Sequence, residues 1–118
     1  SAHGQAARVH VLDVEDPQAR LGRFDVVFHC GVLYHLEDPV RHLQRLLPAC
    51  DAIYLDTHVA SDGRDSDQLD IDGRTFRGYR HQEGGWQDPF SGRGASAFWL
   101  RTDDLVALLA EAGFASQI

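Results

Sequence analysis

The sequence predicts an α/β fold, a mainly parallel sheet with flanking helices and a long insertion. Two observations predict it. From Phe24 to Leu55 a short apolar run, an amphipathic stretch and a second apolar run follow one another, and such a βαβ unit holds its two strands parallel through a right-handed crossover. Further on, a stretch from Thr102 to Gly113 carries helical start and stop signals, which adds a second helix after the insertion.

The elements are justified in order. Arg8 to Val14, with Val9, Val11 and Val14, has the content of a short strand that ends where Asp13, Glu15, Asp16 and Pro17 accumulate. Phe24-Asp-Val-Val-Phe28 is apolar except for Asp25, the pattern of a strand buried on both faces of a parallel sheet; Asp25 reads as a structural loop partner. Asp38 is a good N-cap and Pro39 suits the first helical position, where no N–H is missed. Val40, Leu43, Leu46 and Leu47 then form one apolar stripe, Arg41, Gln44 and Arg45 face outward, and Pro48 stops the helix. Ala52 to Leu55 is the next strand. From Ser61 to Ala95 glycine and aspartate dominate around Phe76, Tyr79, Trp86 and Phe90. This is the insertion, expected to be partly ordered and a candidate substrate lid, with Ser61 to Gly85 more mobile than the βαβ unit. Thr102 with Asp103 and Asp104 caps the last helix, Leu105, Leu108, Leu109 and Ala112 form its inner face, and Gly113 ends it. Phe114 to Ile118 begins a further strand.

Composition narrows the function classes. The 118 residues fit one domain, and 43% hydrophobic with 25% charged residues is ordinary globular content. The net charge is -7, all basic residues are Arg, and no basic run could track a phosphate backbone; a nucleic-acid patch is not expected in this segment. No apolar run approaches the roughly 20 residues of a membrane span, and Ser1 to Gln5 has no signal pattern, so the expectation is a soluble, cytoplasmic chain with no membrane partner. Cys30 and Cys50 lack zinc-site spacing and read as buried free thiols, with a disulfide as the competing reading. His3, His10, His42, His58 and His81 share no metal-ligand spacing, and Asp65 to Gly73 departs from a calcium loop at Gln68 and Leu69. No metal is expected.

In an open parallel sheet ligands bind beyond the carboxyl ends of the strands, which directs attention to His29 through Pro39 and to the residues around Val14. Here Phe24-Asp-Val-Val, followed by Gly31-Val-Leu-Tyr-His35 and Asp38-Pro39, resembles the fourth-strand motif of class I S-adenosylmethionine-dependent methyltransferases. It is most similar to the branch with small-molecule and tRNA wobble-uridine carboxymethyltransferases. Ala97-Phe-Trp-Leu100 leading into Thr102-Asp-Asp104 and ending Ala112-Gly-Phe114 resembles the same family's C-terminal part. The resemblance implies a partial Rossmann-like methyltransferase fold, with residues 1–118 a single partial domain and 61–95 its insertion. The family's Gly-x-Gly donor loop and the acidic residue on its second strand have no counterpart here, so the chain matches the acceptor side and its cofactor, S-adenosylmethionine, belongs to the complete domain.

The resemblance also implies roles. Asp13 matches the carboxylate that accepts from the adenine amino group, with Val14 beside the ring; the competing reading of Asp13 is a solvated loop aspartate. Cys30 and Gly31 match the backbone lining the methionine portion of the donor, or form an ordinary turn, and Leu33 packs in the core. Tyr34 and His35 lie over the expected transfer site. His35 suits a base for an acceptor that loses a proton, or is structural. The implied function is methyl transfer to an unidentified small-molecule or RNA acceptor; an inactive methyltransferase-like interaction module is the alternative from another class, and a different nucleotide-binding α/β domain is disfavoured by the lack of a phosphate loop. The family's strand order, 3-2-1-4-5-7-6, would leave sheet edges bare in this segment. The first strand is then expected to pair directly with Phe24 to Phe28, or a second copy of the chain to cover an edge as a homodimer.

Overall fold

The computed structural model describes residues 7–19, 22–84 and 94–117. Its elements are β1 (Phe24–Cys30), a 3-10 turn (Leu33–His35), α1 (Pro39–Leu46), a second 3-10 turn (Leu47–Ala49), β2 (Cys50–Asp56), β3 (Asp67–Ile71), β4 (Arg74–Gln82), β5 (Ser96–Leu100) and α2 (Thr102–Glu111). The expected βαβ unit is present, with β1 and β2 parallel and Phe28 opposite Tyr54. Beyond it, parallel pairing among the described residues is reduced to an isolated bridge between Ala60 and Arg101. The remaining strands form an antiparallel sheet in the order β3-β4-β5, so the class is α/β with two small sheets of opposite kind.

Helix α1 forms where its local signals put it. The Asp38 carboxylate accepts the Arg41 N–H at 2.9 Å, and Pro39 occupies the first turn, so one orphan N–H of the helix start is satisfied and the residue lacking an N–H sits where none is needed. Val40, Leu43 and Leu47 are buried. Helix α2 starts at Thr102 with Arg101 at the N-cap and no side-chain cap; Thr102 is therefore the first helical residue and not the cap. Asp103 and Asp104 lie in the first turn, where carboxylates favour the helix dipole. At its other end Phe114 N–H donates to Leu109 O and Gly113 N–H to Ala110 O, the two bonds of a Schellman cap.

The segment read as an irregular insertion is largely a hairpin. Asp72 and Gly73 both have positive φ, 53° and 77°, and an Asp-Gly pair in that conformation makes the two-residue turn whose twist matches the flanking strands. Leu69 pairs with Phe76, and Tyr79 pairs with Trp99 on β5. Phe76 and Phe98 are each 1% exposed. Gly78 faces the Trp99 carbonyl and the Phe98 ring so closely that a methyl group there has no room. Trp86 and Phe90 lie outside the described residues.

The core joins Leu33, Leu36, Val40 and Leu43 to Ile71, Phe76, Phe98, Leu100 and the inner face of α2, with Ile53 and Leu55 packed against it. Ala112 is exposed and does not share that inner face.

Three expectations about strands are corrected. Residues 7–13 form no strand; Val9 is 85% and Val11 100% exposed, because valine content alone makes no strand where no neighbour completes the hydrogen-bond ladder. The rearranged sheet therefore does not form, and β1 pairs with β2 alone among the described residues. Instead, the chain turns at Asp13–Asp16, and the Glu15 carboxylate accepts the N–H groups of Glu37 and Asp38 at 3.0 Å each. Residues 114–117 are likewise irregular. Finally, β1 is covered on one face only: Phe24, Val26 and Phe28 are 41%, 51% and 77% exposed, and Tyr54 on β2 61%. Cys50 is a buried free thiol, but Cys30 is exposed.

On the covered face of β1, His29 meets His42 of α1, Nε2 to Nε2 at 2.7 Å, while His42 Nδ1 lies 3.2 Å from the Val14 carbonyl. A carbonyl only accepts, so His42 carries its proton on Nδ1 and His29 donates from Nε2. His29 Nδ1 is then a buried acceptor without a partner. Burial, aided by the neighbouring His42, lowers the His29 pKa to about 4, and burial lowers that of His42 as well.

Candidate functional site

The residues with chemistry gather beyond the C-terminal ends of β1 and β2. Gly31 follows β1 with φ 70°, a backbone setting that an L side chain resists, and its N–H donates to Asp56 O at the end of β2, 3.1 Å away. Two further bonds fix the loop. Trp99 Nε1 donates to Tyr34 O, and Phe98 N–H to Leu36 O, both at 2.9 Å. The loop is thus held at its start by the parallel pair and at its end by the antiparallel sheet.

Around it stands a cluster of rings. Tyr34 stacks on His58 with centroids 4.2 Å apart and planes 9° from parallel; Trp99 meets His58 edge-on at 5.2 Å and stacks on His81 at 4.7 Å. Tyr79 closes on Trp99 at 5.8 Å and carries the Arg64 guanidinium over its ring. Offset and edge-on contacts of this kind suit the ring quadrupoles. His35 lies against Tyr34, centroids 4.4 Å apart, and its Nδ1 is 3.1 Å from Glu83 Oε1.

The structure brings Cys30, Gly31, Tyr34 and His35 onto one loop, with Leu33 in the core at 3% exposure. Asp13 and Val14 lie on a different segment. Asp13 Oδ1 accepts the Glu15 N–H at 2.9 Å within its own turn, while Val14 is half-buried with its carbonyl beside His42. Sequence reading did not assign His58, Tyr79, His81, Glu83 or Trp99 to the site. A signal for three of them existed: Tyr79, His81 and Glu83 alternate, so one face of β4 presents the first two together and the residue just past its end continues the same alternation. No group of three His, Cys, Asp or Glu side chains suited to a metal occurs among the described residues.

Two sizeable clefts lie elsewhere. One of about 550 Å³ runs between β2 and α2, lined by Ile53, Leu55, Thr57, Val106 and Phe114; another of about 430 Å³ lies beside α1 with Leu12, Phe24 and Leu46. Both are apolar gaps flanking the two-stranded sheet. The strand ends, where dipoles, turns and polar rings converge, are the better candidate on chemical grounds.

No family model matches the chain, and no curated protein does. Among solved structures, the N-terminal domain of EvdMO1 with S-adenosylhomocysteine bound is similar at 31% identity over 91% of the chain, with a TM-score of 0.72. The same domain crystallised in the presence of S-adenosylhomocysteine and D-fucose matches over 92% with a TM-score of 0.74. The chain spans 44% and 46% of those two chains. The likeness supports a fold of the S-adenosylmethionine-dependent methyltransferase type. No helix among the described residues is long and apolar enough to cross a membrane.

Proposed function

We propose that this chain is the acceptor-side part of an S-adenosylmethionine-dependent methyltransferase domain. The observation that carries the reading is the 31% identity, spread over nine-tenths of the chain, with a domain that holds S-adenosylhomocysteine. The local geometry fits it in part. Gly31 turns the backbone at the end of β1 with no side chain in the way, beside exposed Cys30, as a strand-end cradle for one end of a cofactor requires. The residues present fit the methionine end of the donor; Asp13 and Val14 are proposed for its adenine. The donor supplies an electrophilic methyl group, and this chain's loop and rings position an acceptor in line with it.

Titration of S-adenosylhomocysteine into the chain, followed by amide NMR, tests the reading. Millimolar binding, about -4 kcal/mol, with shifts centred on Gly31 to Tyr34 is expected. A ligand that leaves those amides unmoved at several times that concentration overturns it. Low-micromolar binding would refute only the partial-site feature of the proposal. The crystallisation of the second neighbour in the presence of D-fucose makes sugars the first acceptor class to screen.

An inactive, methyltransferase-like interaction module is the second reading. The bare apolar face of β1 and β2 favours it.

A further inference from the structure

His35 differs from the other rings of the cluster in having a carboxylate on one of its nitrogens. Glu83, just past β4, is held there by its own backbone, whose N–H donates to Ala95 O at 2.9 Å. Its side chain is 4% exposed against 26% for His35. A carboxylate withdrawn from water to that degree needs a hydrogen-bonding partner, and His35 Nδ1 at 3.1 Å is one. Ionised, that carboxylate only accepts, so the proton sits on Nδ1. The other nitrogen, Nε2, makes no hydrogen bond among the described residues and is not buried, since the only buried side-chain nitrogen or oxygen left unpartnered there is His29 Nδ1. The imidazole therefore presents a free lone pair outward, and its ring orientation is set from behind by Glu83 and from the side by Tyr34.

We infer that Glu83 is a positioning residue, which holds His35 in the Nδ1–H tautomer so that Nε2 is the proton-accepting atom of the site. This rests on the methyl-transfer reading. As the acceptor's attacking atom forms its bond to the methyl carbon, the carbon–sulfur bond breaks and its electron pair stays on sulfur; the acceptor's proton passes to His35 Nε2, and the resulting imidazolium is balanced by the Glu83 carboxylate. The arrangement is of use only for an acceptor that sheds a proton. It also gives the hairpin a chemical role beyond covering the loop, because β4 is what delivers the carboxylate.

Two measurements on the whole chain test the inference without an acceptor. Nitrogen-15 NMR of the histidine rings is expected to show His35 as the Nδ1–H tautomer at neutral pH, and Glu83→Ala is expected to shift it toward the commoner Nε2–H form. Carbethoxylation by diethyl pyrocarbonate, which reads the free Nε2 lone pair, should be about 3- to 10-fold faster at His35 in the native chain than in Glu83→Gln, with Glu83→Asp recovering part of the rate and exposed His58 as the internal reference. Unchanged amide spectra away from the site separate this from misfolding. If His35 is an Nε2–H tautomer in the native chain, or reacts at the same rate in all variants, the inference is wrong. Should the tautomer and rates follow expectation while S-adenosylhomocysteine moves no amide of the Gly31 loop, the positioning stands and the methyl-transfer reading falls.

Discussion

The two sheets end in opposite conditions, and it is the pair with the more apolar strands that is left the barer. In the antiparallel sheet, Phe76 and Phe98 are each 1% exposed and Ile71 and Leu100 are buried with them against α1 and α2. In the parallel pair, Phe28 is 77% exposed and Tyr54 61%, although Phe28 and Tyr54 are register partners with ring centroids 6.1 Å apart. The difference lies in what covers each face. Strands β3 and β4 are joined by a two-residue turn and β5 leads directly into α2, whereas β1 and β2 have α1 on one face and nothing among the described residues on the other. Burial is a property of the pair of surfaces, and a parallel strand's run of apolar residues needs two covers.

The largest expected effect exploits this contrast between two phenylalanines. Phe98→Ala removes a ring from the closed core and should cost about 3 to 5 kcal/mol, whereas Phe28→Ala on the bare face should change stability by no more than about 0.5 kcal/mol. Urea unfolding of both variants checks it. Equal losses would mean that the β1 face is covered in solution.

The next effect comes from the buried histidine pair that ties β1 to α1. The His29 pKa is lowered to about 4 from an ordinary 6.5. Between those values the unfolded chain binds the extra proton and the folded one does not. Stability is therefore complete above pH 6.5, falls as the pH drops toward 4, and has lost about 3 kcal/mol from His29 below that. His29→Gln, which keeps a donor for His42 without titrating, should flatten the slope. A wild-type curve level from pH 7 to 4.5 would show that the pair is open to water.

What could be read from sequence was what neighbours in sequence decide. The Asp38-Pro39 start of α1 and the Gly113 end of α2 were legible because a cap involves a few consecutive residues. The β3–β4 hairpin was legible in principle, from Asp72-Gly73 between alternating apolar residues, but was obscured by the glycine and aspartate content around it. Of the candidate site, the sequence pointed only to its own loop, Gly31, Tyr34 and His35. Trp99 and Glu83 reach that loop through the β4–β5 register, and no local pattern states which strand will pair with which. Residues 7–13 failed as a strand for the same reason in reverse: the valines were there, the partner was not.

The smallest effect on stability concerns the bare face itself. Phe24, Val26, Phe28 and Tyr54 form an apolar patch beside a β1 edge that no strand among the described residues pairs with, and such an edge offers N–H and C=O groups to another strand. A two-fold pairing of β1 with β1 of a second copy would satisfy both edges at once, since an isologous contact uses the same surface twice, and would set the two apolar patches side by side. The chain is therefore expected to self-associate at high micromolar concentration, as read by light scattering. Val26→Lys is expected to hold it monomeric while changing stability by no more than about 0.5 kcal/mol, because Val26 is half exposed on the uncovered face. Arg23, whose guanidinium pairs with Asp51 and with the Pro48 carbonyl at the start of the same sheet, provides the control: Arg23→Ala removes a surface ion pair and should leave association unchanged. A chain that stays monomeric at millimolar concentration would show that the patch alone does not drive self-association, and that a homodimer is not how this face is covered.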